Sequence, residues 1–464
     1  MKKIYIISGT LVSQIQKKAA MVLTSILLDY TYEYPYCVES GDNIPSEATR
    51  IYIGTKESNA FIRENSKASL SHAEEYMISV KDETVIIEGF DDSGVLYGCI
   101  DFYNKYLLKC EFPHNDKYRI NCFEHDLPDF EYSSFPSVKS RGIWTWGHVI
   151  YDFRGFIDNM VMLKMNTLTL WNDFAPVNAC EMVEYAHSCG IKVIWGFAWG
   201  WDTNCKSLSI DNLCQKSQGI FEKFEKEYSH IGVDGIYFQT VTEMNSEEKN
   251  GIIVAKAVSE FVNHTAALFY NKYPELEIQF GLHATSVKTK LQYIANVDSR
   301  IRIVWENCGA FPFSYIPNDV ESFDETAKFV EKIAVLRGKD DSFGAVTKGL
   351  TKLDWGKFKH MEAPSFSGIS SKDMKADRVV RKSKIWRYLQ AFWLINADKA
   401  LEMVKIMSSA KNGNLTVTAL IEDGMFEENI MYPAALFSEM LWDADADINE
   451  LLSEVALRSY VDFA

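Results

Sequence analysis

The chain has 464 residues, of which 47% are apolar, so it is long enough to bury a large core. Its formal net charge of −16 argues against nucleic acid or an anionic membrane as a partner and is compatible with a neutral substrate. The nine cysteines are scattered and include no CxxC pair, which predicts reduced thiols. No apolar run is as long as a membrane span or the core of a secretory signal. We therefore predict a cytoplasmic protein, with a secreted or periplasmic protein trimmed of its signal as the alternative.

The first 130 residues carry the mixed patterns of a small α+β domain. Alternating apolar residues predict strands at 4–7 and 50–54, and a hairpin of 76–80 with 84–89. Helical spacing predicts helices over 14–28 and from about 92 to 108, the second capped by Asp92 or Ser93. The segment 126–136 is rich in proline and polar residues, so we predict that it is the linker to the next domain.

Strand and helix patterns alternate from about residue 139 onward, which favours a parallel sheet. Eight strands are predicted at 141–146, 167–172, 192–198, 235–241, 277–283, 301–306, 343–350 and 415–421. A long insertion with a helix at about 378–394 separates the last two strands, and residues 429–464 are mostly helical. The predicted fold class is α/β, with a (β/α)8 TIM barrel over 136–464 preceded by the small α+β domain over 1–130.

Five of these strand segments end in an ionisable residue on their less apolar face. Side chains alternate between the two faces of a strand, and in these segments one face is largely aliphatic. The terminal residues of the other face are Asp173, Glu243, His283, Glu306 and Glu422. The active sites of TIM barrels lie at the C-terminal ends of the strands, so these residues predict a polar site there.

Three segments resemble known glycosidase families. Residues 91–102 resemble the end of the small domain that precedes the barrel in family 20 hexosaminidases and family 67 α-glucuronidases. The Ser140-Arg-Gly142 motif, followed by 156–160 and 164–166, is similar to the opening of the family 20 barrel. Segment 234–243 is similar to the fourth-strand segment of α-glucuronidases, and Thr242 stands where family 20 enzymes carry an aspartate. The resemblance implies a glycoside hydrolase-like protein with an oligosaccharide substrate.

Glycosidic cleavage needs one carboxylic acid and a second carboxylate that acts as nucleophile or activates water. We predict Glu243 as the acid, because the resemblance places it at the α-glucuronidase acid and because Tyr237 shares its strand face. Glu306 is predicted as the second carboxylate, with Glu422 and Asp423 as rivals. The structural alternatives are a surface glutamate for Glu243 and an ion pair for Glu306.

Further polar residues are predicted to bind the substrate. Asp173, Asp202 and Glu422 lie at strand ends and would bind sugar hydroxyls. His283 would bind a hydroxyl or assist proton transfer, with a structural histidine as the alternative. Arg141 would grip hydroxyls or a uronate carboxylate, or else brace the start of its strand. Arg302 and Lys348 are two further cations available to an acidic sugar.

Several tryptophans lie near the predicted strand ends, where indole rings stack on the C–H faces of sugars. The candidates for stacking are Trp199, Trp201 and Trp355, with core packing as the alternative for each. Trp195 is predicted to pack under the helices by its parity with Val193. No histidine pair stands at metal-ligand spacing, and no nucleotide-binding or serine-hydrolase motif occurs, so we predict neither a catalytic metal nor a cofactor.

We predict a glycoside hydrolase that cleaves oligosaccharides by carboxylate acid/base catalysis, hexosaminidase-like or α-glucuronidase-like. The first alternative is a barrel that binds carbohydrate without hydrolysing it, because fold alone does not fix function. A degenerate barrel with a structural or interaction role is the second. The predicted partner is an oligosaccharide, with no nucleic acid and no membrane, and the pattern leaves the oligomeric state open.

Overall fold

The structure, a computed structural model, describes the chain in thirteen ranges. They are 3–31, 33–110, 123, 126–146, 150–172, 174–199, 210–243, 246–283, 287–306, 322–351, 362–368, 372–421 and 426–464, without the side chains of 210, 211, 243, 374, 375, 378 and 381. The chain divides into two compact units. The first comprises Met1–Pro136, Ser188–Gly190 and Ala456–Arg458, and the second comprises Ser137–His187, Ile191–Val455 and Ser459–Ala464.

The first unit contains a six-stranded mixed sheet in the order β2-β1-β3-β5-β4-β6. Its strands are β1 (Ile4–Ser8), β2 (Tyr36–Glu39), β3 (Thr49–Gly54), β4 (Tyr76–Lys81), β5 (Thr84–Gly89) and β6 (Phe130–Ser134). Its helices are α1 (Gln14–Thr31), α2 (Ala60–Asn65) and α3 (Asp92–Asp101), and α3 continues as the π-helix Phe102–Tyr106 and the 3₁₀ turn Leu107–Lys109. Strands β1, β2, β3 and β5 pair in parallel, whereas β4 runs antiparallel to both β5 and β6. The predicted α+β class of this region is confirmed.

Two local predictions for the first unit are corrected. Part of the predicted linker forms β6, in which half-buried Phe130 and Tyr132 alternate with exposed Glu131 and Ser133. This period-two pattern pairs with β4 and was obscured by the prolines on either side. Helix α3 is capped by Asp91, whose Oδ1 accepts from the Gly94 N–H at 2.8 Å, rather than by Asp92 or Ser93.

The second unit is built on a closed barrel of eight parallel strands. These are β7 (Ser140–Trp146), β8 (Thr167–Trp171), β9 (Lys192–Gly196), β10 (Gly235–Gln239), β13 (Glu277–Leu282), β14 (Arg302–Glu306), β15 (Phe343–Leu350) and β16 (Leu415–Ile421), with the short pair β11 (Glu248–Lys249) and β12 (Ile252–Ile253) after β10. All eight predicted barrel strands are confirmed, with ends within a few residues of the predicted ones. The predicted TIM barrel is confirmed with them.

Helices cover the barrel on the outside, as its apolar outer strand faces require. They are α4 (Phe153–Met162), α5 (Ala179–Ser188), α6 (Ser217–Glu227), α7 (Val254–Lys272), α8 (Leu291–Ile294), α9 (Phe323–Ala334), α10 (Lys372–Ile395), α11 (Ala397–Ser409), α12 (Tyr432–Trp442) and α13 (Ile448–Ala456). A final short pair joins β17 (Ile430–Met431) to β18 (Val461–Asp462). In the described ranges, no helix combines the length and the apolar character needed to cross a membrane.

The interior of the barrel is filled by large side chains from strands on all sides. This inner cluster contains Trp144, Trp146, Trp171, Ile194, Tyr237, Val304, Val346 and Leu420. Trp146 and Trp171 stack with ring centroids 4.4 Å apart, and the edge of Trp144 meets Tyr237 at 5.6 Å. The interior is therefore a packed core, and the polar groups at its C-terminal end lie against its aromatic rings.

Candidate active site

A buried polar group lies at the C-terminal end of the barrel interior, centred on Glu306. Glu306 is the last residue of β14, His283 follows β13, Lys348 lies late in β15, and Tyr237 and Gln239 belong to β10. These four strands are consecutive in the barrel order β10-β13-β14-β15. Because parallel strands end at the same rim, residues distant in sequence meet there around one carboxylate.

The Glu306 carboxylate has donors on both of its oxygens. Oε1 accepts from the Tyr237 hydroxyl and from the Gln239 side-chain amide. Oε2 accepts from Lys348 Nζ at 3.0 Å and lies 3.1 Å from His283 Nε2. The neutral donors thus bind one oxygen and the cationic groups bind the other. The side chain of Glu306 is 0% exposed and that of His283 is 14% exposed, so His283 is the member of this pair that reaches solvent.

Charge and burial act in opposite directions on Glu306. Burial alone would raise the pKa of the carboxyl, but the positive charges of His283 and Lys348, with hydrogen bonds that include the one from Tyr237, lower the pKa below its ordinary value. Glu306 is therefore an ionised carboxylate at neutral pH. Lys348 is itself 1% exposed, and its ammonium lies 4.4 Å from the centroid of the Trp144 ring, whose π-face also stabilises the cation.

Gly281 makes room for this arrangement. It lies in β13 between the Tyr237 and Glu306 side chains, and a Cβ atom at this position would collide with the Tyr237 hydroxyl and approach Glu306 Oε1 at 2.7 Å. Because Gly281 has no side chain, Tyr237 of β10 can hydrogen-bond to Glu306 of β14 across β13.

Of the two predicted catalytic carboxylates, the structure places Glu306 in this group, and for Glu243 it describes the backbone alone. Residues Val241–Glu243 form a 3₁₀ turn directly after β10. The buried Thr242 hydroxyl accepts from the main-chain N–H of His283 at 3.4 Å, so this turn is tied to the segment that carries His283. The Glu243 side chain lies outside the described atoms.

Arg141 and Trp199 are corrected, because neither lies in the site group. Arg141 is near the N-terminal end of β7, where its guanidinium donates to the carbonyls of Val138 at 2.8 Å and Lys164 at 2.8 Å. It braces the opposite end of the barrel, in agreement with the structural alternative for this residue. Trp199 stacks on Phe238, with centroids 3.6 Å apart, and packs against α7, so its ring lies outside the barrel wall.

The location of Trp199 follows from a strand that runs on past its regular end. The Phe197 N–H donates to the Tyr237 carbonyl at 3.0 Å, and the Trp199 N–H donates to the Gln239 carbonyl at 3.4 Å. Pairing with β10 therefore continues beyond β9, and the side-chain alternation continues with it. The parity that places Trp195 under the helices, where it is fully buried near Tyr228, places Trp199 there too.

The remaining predicted binding residues fall outside the described part of the chain. They are Asp173, Trp201, Asp202, Trp355 and Glu422, together with Asp423. Of the two further cations, Arg302 pairs with Glu277 at 3.0 Å near the start of its strand, and Lys348 pairs with Glu306. In the residues that the structure describes, no group of three or more histidine, cysteine or acidic side chains could hold a metal ion.

Sequence reasoning did not predict that Tyr237, Gln239 and Lys348 contact Glu306. Tyr237 is predicted only to share the strand face of Glu243, Gln239 has no predicted role, and Lys348 is predicted as a cation for an acidic sugar rather than for a protein carboxylate. Parity identifies which side chains face the barrel interior. It does not give the relative heights of β10, β14 and β15, on which the contacts with Glu306 depend.

Comparisons with known proteins give similarity in structure alone. No protein-family model matches the chain, and no curated protein matches it in sequence. The structure of a GH138 enzyme targeting pectin rhamnogalacturonan II is similar with a TM-score of 0.55 and 13% identity, over 97% of this chain and 65% of that one. The structure of CpGH84B is similar with a TM-score of 0.53 and 12% identity, over 98% of this chain and 70% of that one.

Both of these similar structures are of glycoside hydrolases, and this chain spans slightly less than two thirds of the length of the GH138 enzyme. At such low identity the likeness concerns the fold. The resemblance to families 20 and 67 that the sequence motifs carry stays a prediction.

Proposed function

We propose that this chain is a glycoside hydrolase that cleaves oligosaccharides by carboxylate acid/base catalysis. The observation that carries the proposal is Glu306, an ionised carboxylate inside the C-terminal end of the barrel. The second carboxylate of a glycosidase must be deprotonated before the sugar binds, either to attack the anomeric carbon or to activate water. A glutamate at this end of a TIM barrel, held as an anion by Lys348 and His283, meets that requirement.

In this proposal Glu243 supplies the acid. It follows β10, it matches the α-glucuronidase acid in the sequence motif, and its turn is tied to His283 through Thr242. The proposed activity is hexosaminidase-like or α-glucuronidase-like. That the folds of a GH138 enzyme and of CpGH84B resemble this one supports the glycosidase class.

The second candidate is a barrel that binds carbohydrate without cleaving it. The observation that favours it is that both oxygens of Glu306 are occupied by protein donors and that the side chain is 0% exposed. A nucleophile must present an oxygen to the sugar, so one donor would have to move or share its oxygen during the reaction. A carboxylate that only completes a buried network has no such need.

The test is hydrolysis of a panel of aryl glycosides, including hexosaminides and uronides. Wild type is compared with Glu243→Gln and Glu306→Gln, with Glu439→Gln as the matched control. Glu439 is also a buried glutamate, paired with Lys164 at 3.2 Å at the opposite end of the barrel. Loss of a general acid lowers the rate by about 10²–10⁴-fold, and an activated aryl leaving group masks part of that loss.

The proposal expects one glycoside to be cleaved, with large losses in both site variants and near-wild-type activity in Glu439→Gln measured at a temperature where the variant is folded. Sugar binding by calorimetry, without turnover of any panel member, would establish the carbohydrate-binding alternative instead. Equal losses in all three variants would show that the effects come from the barrel's stability and not from the site.

A further inference from the structure

The partners of Glu306 divide into two kinds, and the division has a chemical meaning. Tyr237 and Gln239 are neutral donors on Oε1; they fix the position of the carboxylate, and the hydrogen bond from Tyr237 also favours the anion. Lys348 and His283 face Oε2 at 3.0 and 3.1 Å, and their charge favours the anion over the acid. The neutral donors thus act mainly on the position of Glu306, and the charged groups act most strongly on its ionisation.

We propose that Lys348 and His283 are the positioning residues that hold Glu306 as a carboxylate for the reaction. The inference rests on the proposed function, since it gives these residues a role in that same site. It adds that the acid limb of the activity profile is set by two cations that are not themselves required to touch the sugar. Both residues act on Oε2 at hydrogen-bond distance, and His283 acts through its hydrogen bond as well as through its charge.

Burial makes the charge of Lys348 effective. An ammonium at the surface would be screened by water, whereas this one is 1% exposed, in contact with Glu306 and over the face of Trp144. In the described part of the chain, the titratable groups that face Glu306 are Tyr237 from β10, His283 after β13 and Lys348 from β15. Tyrosine is neutral in the acid range, so the positive charge that opposes protonation of the carboxylate there comes from His283 and Lys348, and the hydrogen bond from Tyr237 adds to their effect.

The barrel provides a matched control at its other end. Lys164 is also 1% exposed, its Nζ lies 3.2 Å from Glu439 Oε1, and it sits 4.2 Å from the centroid of the Trp442 ring. Lys164 and Lys348 therefore share burial, a glutamate partner and an aromatic face. They differ in the end of the barrel they occupy, so Lys164→Met reproduces the loss of a buried lysine without touching the site.

The experiment measures kcat/KM against pH for the full chain and for Lys348→Met, His283→Gln and Lys164→Met. Removing a cation beside a carboxylate raises the carboxyl pKa, so the acid limb should move upward by about 1–3 pH units in Lys348→Met. His283→Gln should move it in the same direction, and Lys164→Met should leave it in place. An acid limb that does not move in a folded Lys348→Met protein overturns the proposal, and if that variant does not fold, the same criterion applies to His283→Gln.

A second readout does not depend on activity. Infrared difference spectra follow the carboxylic acid C=O band of Glu306 during acid titration, and the band is assigned by its disappearance when Glu306→Gln is added to each variant. The band should appear at higher pH in Lys348→Met than in wild type. If no glycoside is cleaved but the band shifts, the proposed function fails and the ionisation role stands. If the protein is active and neither band nor limb shifts, the function stands and this inference fails.

Discussion

Replacing Glu306 by glutamine is predicted to destabilise the protein strongly. The substitution keeps nearly the same shape but removes the one negative charge between two cationic partners. Lys348 is 1% exposed, so after the change its ammonium would stay buried in the barrel without the negative charge of Glu306 beside it. His283 is 14% exposed and therefore partly solvated, which leaves the buried Lys348 as the main source of the effect.

The cost of deprotonating Lys348 limits the size of this loss of stability. Giving up its proton at pH 7, from an ordinary pKa of about 10.4, costs about 4.6 kcal/mol, which is an upper limit on the cost of keeping it charged without Glu306. The contact with the face of Trp144 stabilises a desolvated cation by about 2 kcal/mol, but this contact is present before and after the substitution and so does not change the expected loss. Breaking one side of a buried ion pair typically costs about 3–5 kcal/mol, so within the limit above we expect a loss of about 3–4.6 kcal/mol.

Urea unfolding at pH 7 measures the loss in Glu306→Gln, in Lys348→Met and in the double variant. Because the double variant removes both the charge and its orphaned partner, it should be more stable than Glu306→Gln alone, with a coupling of about 2 kcal/mol or more. Glu306→Gln costing less than about 1 kcal/mol, or two single losses that simply add, would refute the idea that Lys348 and Glu306 form a buried ion pair.

Three further outcomes are expected. Because the pKa of Glu306 is lowered on folding, its contribution to stability is present above pH about 4.3 and is lost as the pH falls through the lower folded-state pKa. Lowering the pH should therefore reduce the free energy of unfolding more in wild type than in Glu306→Gln, as measured by urea unfolding at a series of pH values. Trp199→Ala should cost about 3–5 kcal/mol in urea unfolding with KM unchanged, since the ring packs outside the barrel, and a raised KM would contradict that placement. Gly281→Ala should cost about 1–3 kcal/mol and lower kcat, because its methyl group would displace Tyr237 from Glu306; a fully active variant would show that this contact is dispensable.

The barrel could be predicted from the sequence because its strands are short segments with an alternating aliphatic face, separated by helical segments. The first unit was harder at its edges. Strand β2 is largely exposed, and β6 has only two apolar residues, Phe130 and Tyr132, between prolines, so neither shows the longer apolar alternation on which the prediction relied. Local composition favoured a linker at 126–136, and pairing with β4 overrode it.

The candidate site could be predicted only in part, for a geometric reason. The rule that active sites lie at the C-terminal ends of barrel strands selected Glu306 and His283, which the structure brings within 3.1 Å of each other. It also selected Trp199 by its closeness to a strand end, without following the alternation past residue 196. Parity was the better guide there, because hydrogen bonding to β10 extends to Trp199.

The chemistry of a buried ion pair does not by itself indicate function, and the two ends of this barrel show why. Lys164 with Glu439 near Trp442, and Lys348 with Glu306 near Trp144, have the same composition and similar distances. Buried pairs of this kind are weak evidence for stability, since apolar residues often do as well. What separates them is position: the first lies where barrels are braced and the second where barrels bind substrates. A site assigned from such a pair must therefore be tested against its counterpart, and Glu306 is a catalytic candidate to the extent that its loss affects turnover in a way that the loss of Glu439 does not.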